Sequence, residues 1–214
     1  MRCPVCESLE GRAFQVVGER AYGRCGRCEA TFLFPEHRPS PEAERAEYEL
    51  HRNTGDDAGY RAFLAQVATP LLQRLAPGCS GLDYGCGPGP VLADLLREAG
   101  HTVALYDPFF HPDTGALATP HDFITCTEVA EHFHDPAAEF RRLDALLHPG
   151  GWLALMTRFQ TDDARFAQWH YRRDPTHVVF YREATLRWLA RHHGWHCEVP
   201  GANVVLMQKR PAPA

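Results

Sequence analysis

The sequence predicts an α/β fold, a mostly parallel and doubly wound sheet, preceded by a small cysteine-bearing module. Three observations predict it. From residue 60 onward, apolar runs of strand length alternate with helical stripes. The first run, Gly81 to Tyr84, enters a glycine-rich turn, Gly81-Leu-Asp-Tyr-Gly-Cys-Gly-Pro-Gly-Pro90, and an acid, Asp107, closes the second. Gly85, Gly87 and Gly89 lack a Cβ at alternate positions, so a ligand can touch main chain there. Helix Val91 to Ala99 and strand Thr102 to Tyr106 then deliver Asp107 to where a ribose offers its hydroxyls, which makes the unit a strand-helix-strand nucleoside site.

Length and composition set the bounds. A chain of 214 residues holds one domain of ordinary size plus a small module, and 44% hydrophobic with 23% charged residues is a globular composition. No apolar run is long enough to span a bilayer, and Met1-Arg-Cys-Pro lacks the apolar stretch of a signal peptide. The expectation is a cytoplasmic protein without a membrane partner. A net charge of -5 and a pI near 6.2 argue against a broad nucleic-acid surface.

Cys3-Pro-Val-Cys6 and Cys25-Gly-Arg-Cys28 are paired C-x-x-C knuckles with eighteen residues between them. That is the spacing of a four-cysteine zinc ribbon with a structural Zn2+ on Cys3, Cys6, Cys25 and Cys28. Arg12 to Val17 and Glu19 to Tyr22 suit a hairpin about Gly18, and Ala30 to Phe34 a third strand. So short a segment has too little core to fold alone, so the metal supplies most of its stability. Its mixed charges, Arg20, Arg24 and Arg27 beside Glu7, Glu10, Glu19 and Glu29, make no basic stripe, which favours capping a cleft or docking a partner over gripping nucleic acid.

Pro35 to Pro41 is a stiff linker, which divides the chain into a ribbon (1–38), a linker and helix (39–59) and the main domain (60–214). Ser40 caps a charged helix that runs to about Leu50, with Pro41 at its first position. His51 to Gly59 breaks the pattern. Tyr60 to Leu75 carries a helical stripe that Pro70 is expected to kink or split. Phe123 to Val129 reads as a buried strand, Ala137 to Leu147 as an amphipathic helix and Trp152 to Met156 as the next strand. Thr157 to His170 includes a helix-like run ending in Trp169-His170-Tyr171. Helix Glu183 to His193 follows, and Trp195 to Val199 with Val204 to Gln208 form a closing antiparallel pair. Cys79, Cys86, Cys126 and Cys197 show no ligand spacing and read as small apolar fillers. His134, His148, His192 and His193 read as surface residues.

Three motifs in order carry a family resemblance over roughly residues 60 to 210: Asp83-x-Gly-x-Gly-x-Gly89, Glu128-Val-Ala-Glu-His132, and His148-Pro-Gly-Gly151 ahead of a strand. They resemble the class I S-adenosylmethionine-dependent methyltransferases, in the branch with E-V-x-E-H. A dinucleotide fingerprint would want glycine where Pro90 stands. The resemblance implies a Rossmann-like, mostly parallel sheet and S-adenosylmethionine as cofactor. Carried over by position, the cofactor-binding residues are Asp83, Gly85, Cys86, Gly87, Gly89, Asp107, Pro108 and Thr127. Asp83 lies near the amino acid end, the glycines pass under the cofactor and Asp107 holds the ribose. Tyr48 and Tyr60 either lie over the cofactor or merely pack. One departure is clear: fourteen residues, Pro108 to His121, are too few for the usual third strand, so that strand is expected to be missing or truncated. Phe109 and Phe110 then offer aromatic stacking to the base.

The donor in this chemistry is already activated, so the protein chiefly aligns a nucleophile and, for a hydroxyl, accepts its proton. The candidates are Glu131, His132, His170 and His177, with Glu128 beside them. Glu128, Glu131, His132 and His177 together resemble the divalent-metal site of plant small-RNA 2′-O-methyltransferases and of ubiquinone-pathway O-methyltransferases, which implies Mg2+. In other relatives the same Glu and His brace the cleft without evident metal, and the sequence leaves both readings open. The expected function is methyl transfer to a small-molecule or carrier-bound acceptor, most simply at oxygen. The alternatives are an RNA-directed methyltransferase and a non-catalytic, cofactor-binding or zinc-mediated interaction protein.

Overall fold

The computed structural model describes residues 1–50 and 57–211, so most of the break expected over His51 to Gly59 lies outside the described residues. Strand β1 (Gly11–Val17) and β2 (Arg20–Cys25) form an antiparallel hairpin, and β3 (Thr31–Leu33) pairs with β2. β2 runs on past Tyr22 because its register with β1 continues to the pair Gly11 and Cys25. Helix α1 (Pro41–Tyr48) starts as expected: the Ser40 side chain accepts from the Ala43 amide at 3.3 Å, and Pro41 sits where its missing N–H costs nothing.

Helix α2 (Ala58–Leu72) is capped by Asp57, which accepts from the Gly59 and Tyr60 amides. Pro70 neither splits nor ends it. Near the C-terminus the ring forfeits one intrahelical bond, and the Pro70 carbonyl accepts from Arg74 at 2.7 Å.

The main sheet has the order β5-β4-β6-β7-β10-β9. From residue 80 the chain runs β4 (Ser80–Tyr84), α3 (Val91–Glu98), β5 (Thr102–Tyr106), β6 (His121–Thr127), α4 (Pro136–Ala145), β7 (Leu147–Met156), α5 (His170–Arg173), β8 (Val179–Phe180), α6 (Glu183–His193), β9 (His196–Gly201) and β10 (Val204–Gln208), and every one of these strands except β8 belongs to the main sheet. β4, β5, β6 and β7 are parallel to their neighbours, and β10 and β9 close the sheet antiparallel. Between β5 and β6 the described chain makes only a 3-10 turn, Thr114–Leu117. The third strand is therefore missing and β5 is the sheet edge. The chain leaves β4 for β5 on one side and returns to β6 on the other, which opens a crevice at the carboxyl ends of β4 and β6.

Three boundaries differ from the sequence reading. α4 stops at Ala145 and β7 already begins at Leu147, which pairs with His121; Gly150, at φ +85°, lets the strand bend at the Pro-Gly-Gly segment. The run before Tyr171 breaks at Trp169 into a 3-10 turn, Phe166–Gln168, and the single turn α5. β8 was not anticipated at all. It pairs antiparallel with β3, Phe180 opposite Thr31 and Val179 opposite Phe32, and so completes the sheet β1-β2-β3-β8.

The main sheet is covered on both faces. Leu64, Val67 and Leu71 of α2 and Leu92 and Leu96 of α3 bury against Phe123 and Leu206, while Phe140 and Leu143 of α4 and Leu186 and Leu189 of α6 pack with Ile124, Leu153 and Val205. Each such side chain contributes about 1.5–3 kcal/mol of burial. The second cluster runs without interruption into Tyr22, Phe32 and Leu33 of the cysteine-bearing sheet and Phe180 of β8. Among the described residues no helix is long and apolar enough to cross a membrane.

Candidate active site and cysteine centre

The crevice is a cleft of about 930 Å³. Its floor is the glycine turn. Gly85 and Gly87 sit at φ +78° and +64°, in the left-handed region that favours glycine, and a Cβ on Gly85 would stand 2.5 Å from a Val129 methyl. The turn is pinned to the next strand by the Gly85 amide, which donates to the Tyr106 carbonyl at 2.7 Å. Every residue expected to bind the cofactor lines this one cleft: Asp83, Gly85, Cys86, Gly87, Gly89, Asp107, Pro108 and Thr127. Cys86, read as an apolar filler, is half-buried in its wall.

Two of the acids are held differently. Asp83 is buried, accepts from the Thr125 hydroxyl at 2.7 Å, and is pushed up to about 6 by burial, against which that hydrogen bond works. Asp107 accepts from the backbone amides of Gly87 (3.0 Å), Phe109 (2.9 Å) and Phe110 (3.1 Å). It thus ties the glycine turn to the aromatic pair while its carboxylate borders the cleft. The Thr127 hydroxyl, which also lines the cleft, is buried with no hydrogen-bond partner among the described residues. Such an orphaned group at a cleft wall suits a bound polar ligand. Tyr48 and Tyr60 both line the cleft, and the Tyr48 ring lies 5.5 Å from Phe109 and 5.2 Å from His132.

At the other end stand the acid and the imidazoles. Glu128 is at φ +53°, unusual for a residue with a side chain, and it follows β6 directly. It is therefore not on a helix with Glu131 and His132; those two belong to a 3-10 turn, Ala130–His132. The structure brings together Glu131, His132 and His177, whose donor atoms lie within 4.8 Å of one another, and leaves Glu128 as a neighbour. The His132 Nδ1–H donates to the Thr176 carbonyl (3.1 Å) and the His177 Nδ1–H to the Tyr171 carbonyl (2.6 Å). A carbonyl can only accept, so each ring, when neutral, is the tautomer that presents Nε2 as the acceptor nitrogen.

Glu131 is completely buried, with Oε1 accepting from the Tyr171 hydroxyl and Oε2 without a partner in the chain. Burial, reinforced by the charge of Glu128, pushes it up to about 8. Burial likewise pushes Glu128 up to about 7, and its Oε1 also lacks a partner. The Glu131 carboxyl and two oriented imidazoles, with Glu128 as a neighbour, form a donor set that a divalent cation fits. His170 lies apart, exposed at the rim on α5.

Sequence reasoning missed Tyr171, whose hydroxyl reaches Glu131 and Thr157 (3.1 Å) and whose carbonyl orients His177. Only its place within a polar, aromatic loop hinted at it. His134 and His193 are part-exposed but not idle: His134 pairs with the buried Glu44 of α1 at 2.8 Å, and His193 stacks on Trp195 at 4.5 Å.

The four cysteines converge at the far side of β3. Sγ of Cys3 and Cys28 are 3.6 Å apart, those of Cys6 and Cys25 3.5 Å, and all four lie within 4.8 Å. Four sulfurs at about 2.3 Å from one tetrahedral ion stand about 3.8 Å apart, so the cluster fits Zn2+. The Arg27 and Cys28 amides point at Cys25 Sγ, as donors to a thiolate do. The hydrogen bond that Cys3 and Cys28 share lowers Cys3 to about 6 and, with burial, drives Cys28 up.

The comparisons with known proteins agree with this architecture. A ubiquinone biosynthesis O-methyltransferase of Bordetella avium (strain 197N) is 30% identical over 113 residues, 40% of this chain and 46% of that protein. One of Xanthomonas campestris pv. campestris (strain B100) is 31% identical over 114 residues, 41% of this chain and 46% of that protein. The chain thus spans about half the length of these curated relatives. Among solved structures, the 1,6-didemethyltoxoflavin-N1-methyltransferase of Burkholderia thailandensis, with bound 1,6-didemethyltoxoflavin and S-adenosylhomocysteine, superimposes with TM-score 0.54 at 17% identity over 93% of this chain and 99% of that one. The magnesium protoporphyrin IX methyltransferase of Synechocystis PCC 6803, with bound S-adenosylhomocysteine, gives 0.53 at 16% identity over 79% and 94%. At these identities the likeness is one of fold. The model of the family described as "Methyltransferase domain" matches residues 58–198, the stretch that holds the glycine turn, Asp107 and the Glu128–His132 segment, and so the chain belongs to the methyltransferase-domain family in its class I, Rossmann-like form.

Proposed function

We propose that the chain transfers the methyl group of S-adenosylmethionine to a hydroxyl of a small-molecule or carrier-bound acceptor. The observation that carries the reading is one cleft with a glycine turn and Asp107 at one end and Glu131, His132 and His177 at the other. When bound, the cofactor supplies a methyl already activated on a sulfonium. The chain aligns the acceptor and takes its proton. Asp107 accepts the ribose hydroxyls, Asp83 faces the amino acid end, and Phe109 and Phe110 border the base. His132 or His177 accepts the hydroxyl proton at Nε2, the nitrogen their backbone hydrogen bonds leave as acceptor. His170, at the rim, meets the outer part of the acceptor.

In an ion-loaded form the same Nε2 atoms would ligate instead of acting as base: a divalent cation held by Glu131, His132 and His177 would lower the pKa of the acceptor hydroxyl, whose proton would pass to water. Mg2+ is the ion the resemblance implies, while two imidazoles and one carboxylate suit Mn2+ or Co2+ better. The likeness to ubiquinone biosynthesis O-methyltransferases over about 40% of this chain supports an acceptor methylated at oxygen.

The test is calorimetric titration of the wild type and Asp107→Asn with S-adenosylmethionine and S-adenosylhomocysteine. The expected outcome is micromolar binding by the wild type and a loss of about 1.5–3 kcal/mol in the variant, the worth of a hydrogen bond to a charged group. No binding of either ligand to the folded wild type would overturn the reading.

A further inference from the structure

The cysteine sheet shares backbone with the segments that bear the acid and imidazole cluster. Val178, next to His177, has its amide bonded to the Glu131 carbonyl (2.8 Å) and its carbonyl bonded to the Leu33 amide of β3 (2.8 Å). One residue therefore links the cysteine sheet, Glu131 and His177. On the other flank, the carbonyl of Pro4, inside the first knuckle, accepts from the Ala137 amide in the first turn of α4, the helix that follows the Glu128–His132 segment (3.1 Å). The contacts extend outward. Thr31 of β3 donates to Gln160 (2.6 Å), Arg24 of β2 to Asp163 (2.6 Å), and Arg172, next to Tyr171, to the Tyr22 hydroxyl of β2 (3.3 Å).

These bonds reach both segments that form the cluster, and they start from β2, β3 and the first knuckle. Those elements are short: β3 has three residues and β8 two. Packing in the shared core holds β3 and β8 from one side, but a pairing of this length has few ladder bonds of its own, so its register also depends on what anchors its outer end. The anchor is the thiolate cluster, which joins Cys3 and Cys6 of the first knuckle to Cys25 at the end of β2 and Cys28 just before β3.

We propose that an ion on Cys3, Cys6, Cys25 and Cys28 is a positioning centre: it holds β3 against β8 and the first knuckle against α4, and thereby sets the placement of His177 relative to Glu131 and His132. The proposal rests on the reading of that cluster as the reacting end of the cleft, and it gives the cysteine module a role in the site rather than in partner docking.

The experiment uses the full chain loaded with Cd2+, whose thiolate charge-transfer absorption in the ultraviolet reports occupancy of the cysteines. Dialysis against citrate first empties any weaker oxygen- and nitrogen-ligated site while that absorption persists. The thiolate ion is then stripped with a strong chelator under reductant. Amide hydrogen exchange and imidazole 15N shifts are recorded before and after.

The expected result is a fall of at least about 100-fold in protection at Leu33 and Val178, and loss of the Nδ1-protonated 15N pattern at His132 and His177. Leu82 of β4 and Ile124 of β6 should change by less than about threefold, and adding Zn2+ should restore the starting pattern. Cys28→Ser should show the stripped pattern at low Cd2+ and recover at high Cd2+. Unchanged Leu33, Val178 and histidine signals after stripping would overturn the proposal. So would equal loss of protection at Leu82 and Ile124, which would mean that the ion holds the whole fold. Neither readout uses methyl transfer, so a failure here is distinguishable from a failure to bind S-adenosylmethionine.

Discussion

Two clusters of metal-ligating side chains stand on either side of the β3–β8 pairing, and they differ in donor type, closure and access. The cysteine centre has four soft donors from two tight turns, three of them buried, and a tetrahedral ion there would have every position filled by protein. The second cluster has one carboxylate and two imidazoles from two distant segments, and His132 and His177 line an open cleft. An ion there keeps positions for a ligand. Similar clustering of donor atoms thus gives a closed centre suited to holding structure and an open one suited to meeting a substrate. The closed centre should dominate stability and the open one pH dependence.

The largest effect expected from breaking this contrast is at the cysteines. Cys25→Ser removes one of four thiolates from an ion whose binding is part of the folding free energy. Amide exchange at Leu33 and Val178 should show a loss of protection of about 1,000-fold, about 4 kcal/mol, relative to the ion-loaded wild type, with Leu82 and Ile124 spared. Glu131→Gln in the open cluster should not destabilise the ion-free protein at pH 8. Equal losses in the two variants would erase the distinction.

The second effect is on the pH dependence of stability without a divalent ion. Folded Glu131 sits at about 8 against an ordinary 4.5, and Glu128 at about 7, so at neutral pH the folded chain holds protons that the unfolded chain releases. Stability from these carboxyls is full below about pH 4.5 and is lost as pH rises through 7 to 8. Between pH 5 and pH 8 the ion-free wild type should lose on the order of 3 kcal/mol. Glu131→Gln should flatten most of that slope. A slope of opposite sign would show that these carboxyls fold in their charged form.

The contrast also explains what was legible in the sequence. Each C-x-x-C knuckle is a local turn, so spacing alone reveals it, and the Gly81–Pro90 turn with Asp107 is equally local. The missing third strand follows from a residue count. β8 was invisible because two residues carry no periodicity and their partner, β3, lies far back in the chain. The resemblance offered Glu128 as a partner of Glu131 and His132, but Glu128 follows β6 in a left-handed conformation and the ligating group is Glu131, His132 and His177. Histidine orientation was hidden for a similar reason: Thr176 and Tyr171 act through carbonyls, which any residue possesses.

Tyr171→Phe gives the smallest effect and the finest test of the open cluster. The hydroxyl donates to Glu131 and so works against burial, holding the carboxyl lower than burial alone would. The phenol itself lies well above its ordinary range, through burial and then the charge of Glu131, so it remains a donor throughout the accessible pH range. Phenylalanine keeps the ring that packs 4.2 Å from His177, and the backbone carbonyl that orients the imidazole is untouched. The variant therefore removes only what the hydroxyl does, its bonds to Glu131 and to Thr157. Loss of the bond to Glu131 raises that carboxyl further, and a divalent ion that needs the ionised carboxylate must then displace a more tightly held proton. Mn2+ titrated by calorimetry at pH 7 should bind roughly tenfold more weakly, the effect of about 1.4 kcal/mol, and the deficit should shrink as pH rises toward 9. A deficit that stays constant with pH would mean that Tyr171 acts on the site by shape rather than through the Glu131 proton.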